Sequence, residues 1–256
     1  MIKLINGDCL EEMKKIPDGS VDVIITDPPY GTTACKWDSV IDFDLMWEQL
    51  NRIIKPNGAI VLFGSEPFSS VLRMSNIKNY KYDWKWDKVN SGSFAVAKYR
   101  PLTVFEDIIV FGKGKINYYP IMELAEDKNK RPRNGEYKRK KDNSNGMGSG
   151  VFKSSKNHNE NLRFPKNRLI YNKNKGELNA INRIHPTQKP VLLMEYLINT
   201  YTNENELVLD FTMGSGTTMV ACKNTNRNGI GIENDEGYFK IAQQRINKID
   251  TEPKLF

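Results

Sequence analysis

Val21-Asp22-Val23-Ile24-Ile25-Thr26 is apolar at neighbouring as well as alternate positions, and it runs straight into Asp27-Pro28-Pro29-Tyr30. A strand with two apolar faces has to be covered on both, which is the situation of strands in a parallel sheet sandwiched by helices. Ala59–Phe63 and Phe105–Phe111 have the same character, and Ile2–Ile5, Lys81–Trp86, Leu207–Asp210 and Gly229–Glu233 complete the strand candidates. Helical spacing lies between them. Cys9–Ile16 stops before Pro17, and Asp44–Lys55 places Leu45, Met46, Leu50, Ile53 and Ile54 on one face before a turn at Pro56-Asn57-Gly58. Pro190–Tyr201, Thr217–Lys223 and a last helix sharing Tyr238, Ile241, Ala242, Ile246 and Ile249 follow. Strands interleaved with helices imply an α/β fold with a largely parallel sheet.

The 256 residues can bury one sizeable core and an insertion. From 116 to 184 the periodicity disappears into Lys, Arg, Asn, Gly and Ser, too long for an ordinary loop. Between Lys128 and Lys175 stand 15 Lys+Arg against 3 acidic residues, whereas the rest of the chain carries 23 against 28. Net charge is +7, so the positive excess is concentrated in one segment, as expected of a polyanion-binding patch, although a solvated loop would share that composition. The three cysteines, Cys9, Cys35 and Cys222, form no CxxC pair, and with His158 and His185 as the sole histidines no metal site is expected. No run of 18 apolar residues is present and Met1–Asp8 leads into a strand, so neither a membrane span nor a signal peptide is expected, and the cytoplasm is the expected location.

Leu207-Val-Leu-Asp-Phe-Thr-Met-Gly-Ser-Gly-Thr-Thr218 spells a strand, a glycine turn and a helix start. Gly214 and Gly216 allow backbone to come close to a ligand, and the helix N-terminus offers N–H groups to an anion. Glu233 ends the next strand, where it can accept from ribose hydroxyls. The third glycine of a dinucleotide fingerprint would fall on Met219, so that fingerprint fails. A nucleoside carrying a carboxylate but no phosphate fits better, and S-adenosylmethionine is one; a purely structural turn would use the same glycines.

Asp27-Pro28-Pro29-Tyr30 ends a central strand candidate, the usual ligand position in such sheets. The prolines fix φ and remove N–H donors, holding carbonyls out as acceptors. An exocyclic amino nitrogen delocalises its lone pair into the base; acceptors at Asp27 and the Pro28 carbonyl would favour a pyramidal nitrogen, and Tyr30 would stack on the flipped base. Taken alone, Pro-Pro after a strand could also be a rigid turn.

With both motifs present the sequence resembles the amino-methyltransferases of restriction–modification systems, bacterial and phage, and most specifically their beta class. The order matches: Asp27–Tyr30 first, the basic segment, His185-Pro-Thr-Gln-Lys-Pro190, then the turn Asp210–Thr218, with similarity from Asn6 to about Lys248. The resemblance implies a Rossmann-like seven-stranded methyltransferase sheet with one reversed strand, divided into a catalytic half (1–115), a basic target-recognition insert (116–184) and a cofactor-binding half (185–256). It implies S-adenosylmethionine as cofactor and no metal. Asp8 and Cys9 would lie by the cofactor adenine, His185, Thr187 and Lys189 by its methionine end, with Asp27 close; Asp210, Phe211, Thr212, Gly214, Gly216 and Thr217 would form the turn, and Glu233 with Asn234 would take the ribose. Asp27, Pro28, Pro29 and Tyr30 would be catalytic. Arg131, Arg133, Lys138, Arg139, Lys140, Lys141, Arg163, Lys166 and Arg168 are the candidates for contact with double-stranded DNA. A homodimer and a cognate restriction endonuclease are compatible partners. One departure stands out: the family places an aromatic two residues before the first glycine of the turn, and here that position is Thr212, with Phe211 one place earlier.

Other classes fit less well. A carbon-5 cytosine methyltransferase needs a Pro-Cys nucleophile, and the residues before the three cysteines are Asp8, Ala34 and Ala221. Cytosine amino-group enzymes use the same geometry but often put Ser first in the motif, so Asp27 favours adenine. Methylation of a protein glutamine amide resembles Asn-Pro-Pro-Tyr and leaves the basic segment unexplained. A DNA-binding module without catalysis has no use for Asp27 or Glu233.

Overall fold

The computed structural model describes residues 1–31, 39–91, 94–124, 162–172 and 188–251. The chain divides into two compact units, Met1–Tyr119 with Lys166–Phe256, and Pro120–Pro165. In chain order the elements begin with strand β1 (Ile2–Asn6), helix α1 (Cys9–Met13), β2 (Val21–Thr26), α2 (Phe43–Ile53), β3 (Ile54–Gly64) and α3 (Phe68–Ser75). After a short 3-10 turn come β4 (Tyr80–Asp87), β5 (Phe105–Phe111), β6 (Glu123–Leu124), β7 (Leu162–Arg163) and β8 (Arg168–Ile170). The chain ends with α4 (Val191–Tyr201), β9 (Leu207–Asp210), α5 (Thr217–Asn224), β10 (Asn228–Glu233) and α6 (Glu236–Thr251). In the smaller unit β6 and β7 form an antiparallel pair.

The larger unit holds an eight-stranded sheet in the order β1-β10-β9-β2-β3-β5-β4-β8, parallel except for β5. This is the mostly parallel sheet with one reversed strand that the sequence implied, with eight strands rather than seven. The extra one is β8, which lays Arg168, Leu169 and Ile170 along Lys85, Trp86 and Asp87 and occupies the open edge of β4.

Alternation along each strand explains the continuous apolar runs. Ile24, Ile60, Leu62, Ile109 and Phe111 face a layer with Met13 of α1, Met46, Leu50 and Ile53 of α2, and Phe68 and Leu72 of α3. Val23, Ile25, Val61, Phe63, Ile108 and Val110 face the opposite layer, with Leu193, Leu197 and Tyr201 of α4, Met219 and Cys222 of α5, and Ala242 and Ile246 of α6.

Two local expectations are corrected, and one helix is added. Leu45 is 51% exposed: α2 buries Met46, Trp47, Gln49, Leu50 and Ile53, an arc that turns Leu45 outward. Pro56-Asn57-Gly58 makes no separate turn but a bulge within β3, because Val21 pairs with Ile54 while Val23 already pairs with Ala59. Gly58 is tight there, since a Cβ would stand 2.7 Å from the Asp22 carbonyl oxygen. Helix α3, with only Phe68, Ser69 and Leu72 buried, was not anticipated.

The chain leaves β2 toward β3 on one side and leaves β9 toward β10 on the other. These central neighbours pair Val23 with Val208 and Ile24 with Leu209, so their carboxyl ends, bearing Asp27 and the glycine turn, lie side by side at a topological switch point.

Candidate active site

The two motifs are joined by side chains from both. Thr26 Oγ1 donates to Asp210 Oδ1 at 2.7 Å and accepts from the Phe211 N–H at 3.0 Å. Thr212 Oγ1 donates to the Asp27 carbonyl at 3.1 Å. Asp210 also accepts from Thr218 Oγ1 and from the Thr212 N–H, and burial raises its pKa to about 6 despite these bonds.

Asp27 is half-buried with both carboxylate oxygens engaged. Oδ1 accepts from the Tyr30 hydroxyl, and Oδ2 accepts from Lys189 Nζ. Tyr30 stacks on Phe68, centroids 4.9 Å apart and planes 26° apart, while burial and the adjacent Asp27 push its phenol well above its ordinary value. Pro28 is buried and Pro29 half-buried. Lys189 sits between Asp27 and Glu106 Oε2, 3.4 Å away, over the rings of Phe63 and Trp86. Burial opposes its charge, but Asp27 and Glu106 outweigh burial and its pKa is raised. Lys88 reaches the other oxygen of Glu106 at 3.1 Å.

The glycine turn is held mainly by backbone. Gly214 and Gly216 have φ of +53° and +78°, which glycine adopts without strain. A Cβ on Gly216 would come within 2.9 Å of Ala242 Cβ, so its glycine is required by α6 behind the turn. Glu233 takes the Gly214 N–H on Oε2 and the Asp235 N–H on Oε1, each at 2.8 Å, leaving one acceptor position per oxygen. Burial raises its pKa. Arg245 of α6 braces the far side, donating to the Ser215 carbonyl at 2.6 Å and to Thr217 Oγ1 at 3.2 Å. Helix α5 starts at Gly216 without a side-chain cap, so its first N–H groups suit a carboxylate.

Asp8 is exposed and caps α1 through the N–H groups of Leu10 and Glu11, next to Glu233, whose carbonyl accepts from the Gly7 N–H at 3.0 Å. Burial, with Asp8 adding to it, pushes the Cys9 thiol up to about 12, so it is a thiol and not a nucleophile. Asn234 is exposed beside Glu233.

The structure therefore gathers Asp8, Cys9, Asp27, Pro28, Pro29, Tyr30, Lys189, Asp210, Phe211, Thr212, Gly214, Gly216, Thr217, Glu233 and Asn234 at the carboxyl ends of β1, β2, β9 and β10 or in the segments beside them. Asp210, Phe211 and Thr217 are buried within or behind the turn. Lys189 directs its ammonium at Asp27. His185 and Thr187 lie outside the described residues, as do Arg131, Arg133, Lys138, Arg139, Lys140 and Lys141. Of the described basic candidates, Lys166 is exposed, Arg168 is paired with Asp87 across β4 and β8, and Arg163 donates to the Leu162 carbonyl in the smaller unit. Lys88, Glu106, Phe68 and Arg245 were not anticipated. Two acids at the head of the apolar strand Phe105–Phe111 were the available sign of Glu106; nothing local marks Arg245.

The DNA methylase family model for N6/N4 enzymes matches residues 21–244. The chain belongs to the N6/N4 DNA methylase family. It is 30% identical over 96% of its length to the type II methyltransferase M.HpaI of Haemophilus parainfluenzae, covering 74% of that protein. It is 29% identical over 96% of its length to M2.LlaDCHI of Lactococcus lactis subsp. cremoris, covering 89% of that protein. Among solved structures, M1.HpyAVI in complex with S-adenosylmethionine superposes with a TM-score of 0.62 at 29% identity over 96% of this chain and all of that one. The cytosine-N4-specific PvuII methyltransferase superposes at 0.67 with 16% identity over all of this chain and 88% of that one, a likeness of fold. Among the described residues no cluster of His, Cys, Asp and Glu could hold a metal, and no helix is long and apolar enough to cross a membrane.

Proposed function

We propose that this DNA methylase is site-specific and transfers the methyl group of S-adenosylmethionine to the exocyclic amino group of adenine in double-stranded DNA. The carrying observation is the placement of Asp27, an acid at the end of a central strand, beside the glycine turn, its main-chain carbonyl accepting from the Thr212 hydroxyl while its carboxylate accepts from Tyr30 and Lys189. Asp27 and the Pro28 carbonyl accept the two amino hydrogens, which localises the nitrogen lone pair. Tyr30, backed by Phe68, offers a ring face to the extruded base, a contact worth roughly 1–3 kcal/mol. When bound, S-adenosylmethionine supplies a methyl group on a sulfonium centre. Glu233, with Asn234 beside it, holds the ribose hydroxyls; Asp8 and Cys9 border the adenine; the Gly214–Thr217 turn and the start of α5 hold the methionine carboxylate, with His185 and Thr187 nearby.

The DNA reading draws on the 15 Lys+Arg between Lys128 and Lys175. It also draws on Phe94 and Tyr99, 71% and 86% exposed, beside exposed Lys98 and Arg100 in the loop joining β4 and β5. That loop leaves the sheet at the end that carries Asp27. Affinity should fall by about 10³-fold or more between 50 and 200 mM salt if six or more phosphates are met.

Adenine is favoured over cytosine by Asp at the first position of the motif. The test incubates the protein with duplexes of varied sequence and S-adenosylmethionine, then identifies methylated nucleosides by mass spectrometry. N6-methyladenine is expected; N4-methylcytosine alone would replace adenine by cytosine, and no methylated base would end the proposal.

A further inference from the structure

We infer that Lys189 and Glu106 are positioning residues for Asp27: Lys189 is its counter-ion, and Glu106 divides the charge of Lys189 between two carboxylates. The inference rests on the proposed role of Asp27 as acceptor for the amino group.

Lys189 is 6% exposed, and an ammonium removed from water is costly unless paired. Its partners are Asp27 Oδ2 and Glu106 Oε2, and the rings of Phe63 and Trp86, 5.0 and 5.9 Å from Nζ to the centroids, supply the rest of its shell. Lys88 on the far side of Glu106 makes the group two carboxylates and two ammoniums, with no net charge. Three distant segments thus meet at one acid: β4 and its following residue Lys88, β5 through Glu106, and the approach to α4 through Lys189.

Ionised, the Asp27 carboxylate only accepts; protonated, one of its oxygens carries a hydrogen and accepts less well. The titratable and charged groups facing Asp27 are Tyr30 from its own turn, Asp210 from β9, Glu106 from β5 with Asp107 and Lys88 farther out, and Lys189. Asp210 and Glu106 are acids near Asp27, and Lys189 is the cation that touches it. Glu106 competes for the same ammonium. Losing Lys189 and losing Glu106 should therefore act on Asp27 in opposite directions, and a packing role would give no such opposition.

The test compares wild type, Lys189→Met, Glu106→Gln and the double variant, each with two readouts. The first is carboxyl-¹³C NMR titration of Asp27, its signal identified by its loss in Asp27→Asn. Lys189→Met should move the midpoint upward by about one pH unit or more, Glu106→Gln should leave it or move it down, and the double variant should return toward wild type. The second is the pH profile of methyl transfer. Lys189→Met should move the acidic limb of the kcat profile upward by the same amount as the Asp27 midpoint, so that its deficit in kcat is largest at low pH and shrinks as pH rises. The double variant should exceed Lys189→Met on that acidic limb. An Asp27 midpoint unmoved in Lys189→Met, or a double variant no better than the single one, overturns the inference. If Lys189→Met does not fold, the sign of the shift in Glu106→Gln decides, an upward one being contrary. A wild type that methylates no DNA while the midpoints shift as expected would sink the proposed function and leave the positioning intact.

Discussion

Asp27, just past β2, and Gly214, just past β9, stand at the same end of neighbouring strands, yet different forces hold them. Gly214 is fixed locally: its own φ of +53°, the next strand's Glu233, and a brace from α6. Asp27 is fixed by groups from elsewhere in the sequence, Lys189 on one oxygen and Thr212 on its carbonyl, with Tyr30 alone being near in the chain. The turn is set by backbone conformation, with charged side chains holding its N–H and C=O groups from outside. The acid is a charge in a half-dry place, and its chemistry depends on what surrounds it.

Substitutions on the two sides should separate these devices. The largest effect is expected from Asp27→Ala, which should lower methyl transfer by about 10³-fold or more while DNA and cofactor binding, measured by titration, stay near wild type. Loss of binding in parallel would mean that the acid holds the site together rather than acting in it. Gly216→Ala should break the other side through the fold, costing roughly 2–4 kcal/mol from its left-handed φ and the contact with Ala242. Denaturant unfolding without ligand measures this, and an unchanged midpoint would place α6 farther from the turn.

Glu233→Ala should be narrower, weakening cofactor affinity by about 10- to 100-fold, the size of a charged hydrogen bond, with DNA affinity preserved. Calorimetry with the cofactor reads it directly. A further effect, on stability rather than binding, concerns Asp210, which links the two sides. Its folded pKa of about 6 lies above the usual 3.8, so its contribution to stability is full below the usual value and is lost as pH rises through 6. That loss is of order 2–3 kcal/mol. In Asp210→Asn the stability difference between pH 4 and pH 7 should shrink by that amount; an equal pH dependence in both proteins would contradict a buried, proton-binding Asp210.

The same contrast decides what the sequence made legible. Strands such as Val21–Thr26 and Phe105–Phe111 announce themselves because burial on both faces makes neighbouring as well as alternate positions mostly apolar, and the turn announces itself because two positive φ angles suit glycine. Asp27 was legible for the same local reason, sitting between an apolar strand and two prolines. Its supports were not: nothing near Lys189 in sequence says that its ammonium lies against Asp27, and Glu106 is one acid of an Glu-Asp pair whose members turn to opposite faces of β5, the second toward Arg73. Helix α3 escaped because its outer face carries Val71 and Met74, 55% and 69% exposed, which blurs the helical period. Residue Phe211, where the family's aromatic is displaced, is buried in the core beside Leu209 and Ile232.

Strand β8 has a practical consequence for exchanging the basic segment between relatives. Residues 116–119 are pinned to the larger unit, with the Tyr119 N–H on the Thr200 carbonyl at 2.8 Å, and 167–171 are pinned by the Lys85 and Tyr171 amides. Severing the chain at the outer limits of the basic segment, near 116 and 184, would strip the sheet of its last strand and leave the backbone of β4 bare to self-association. A transplant joined instead after Tyr119 and before Lys166 keeps that border with the host.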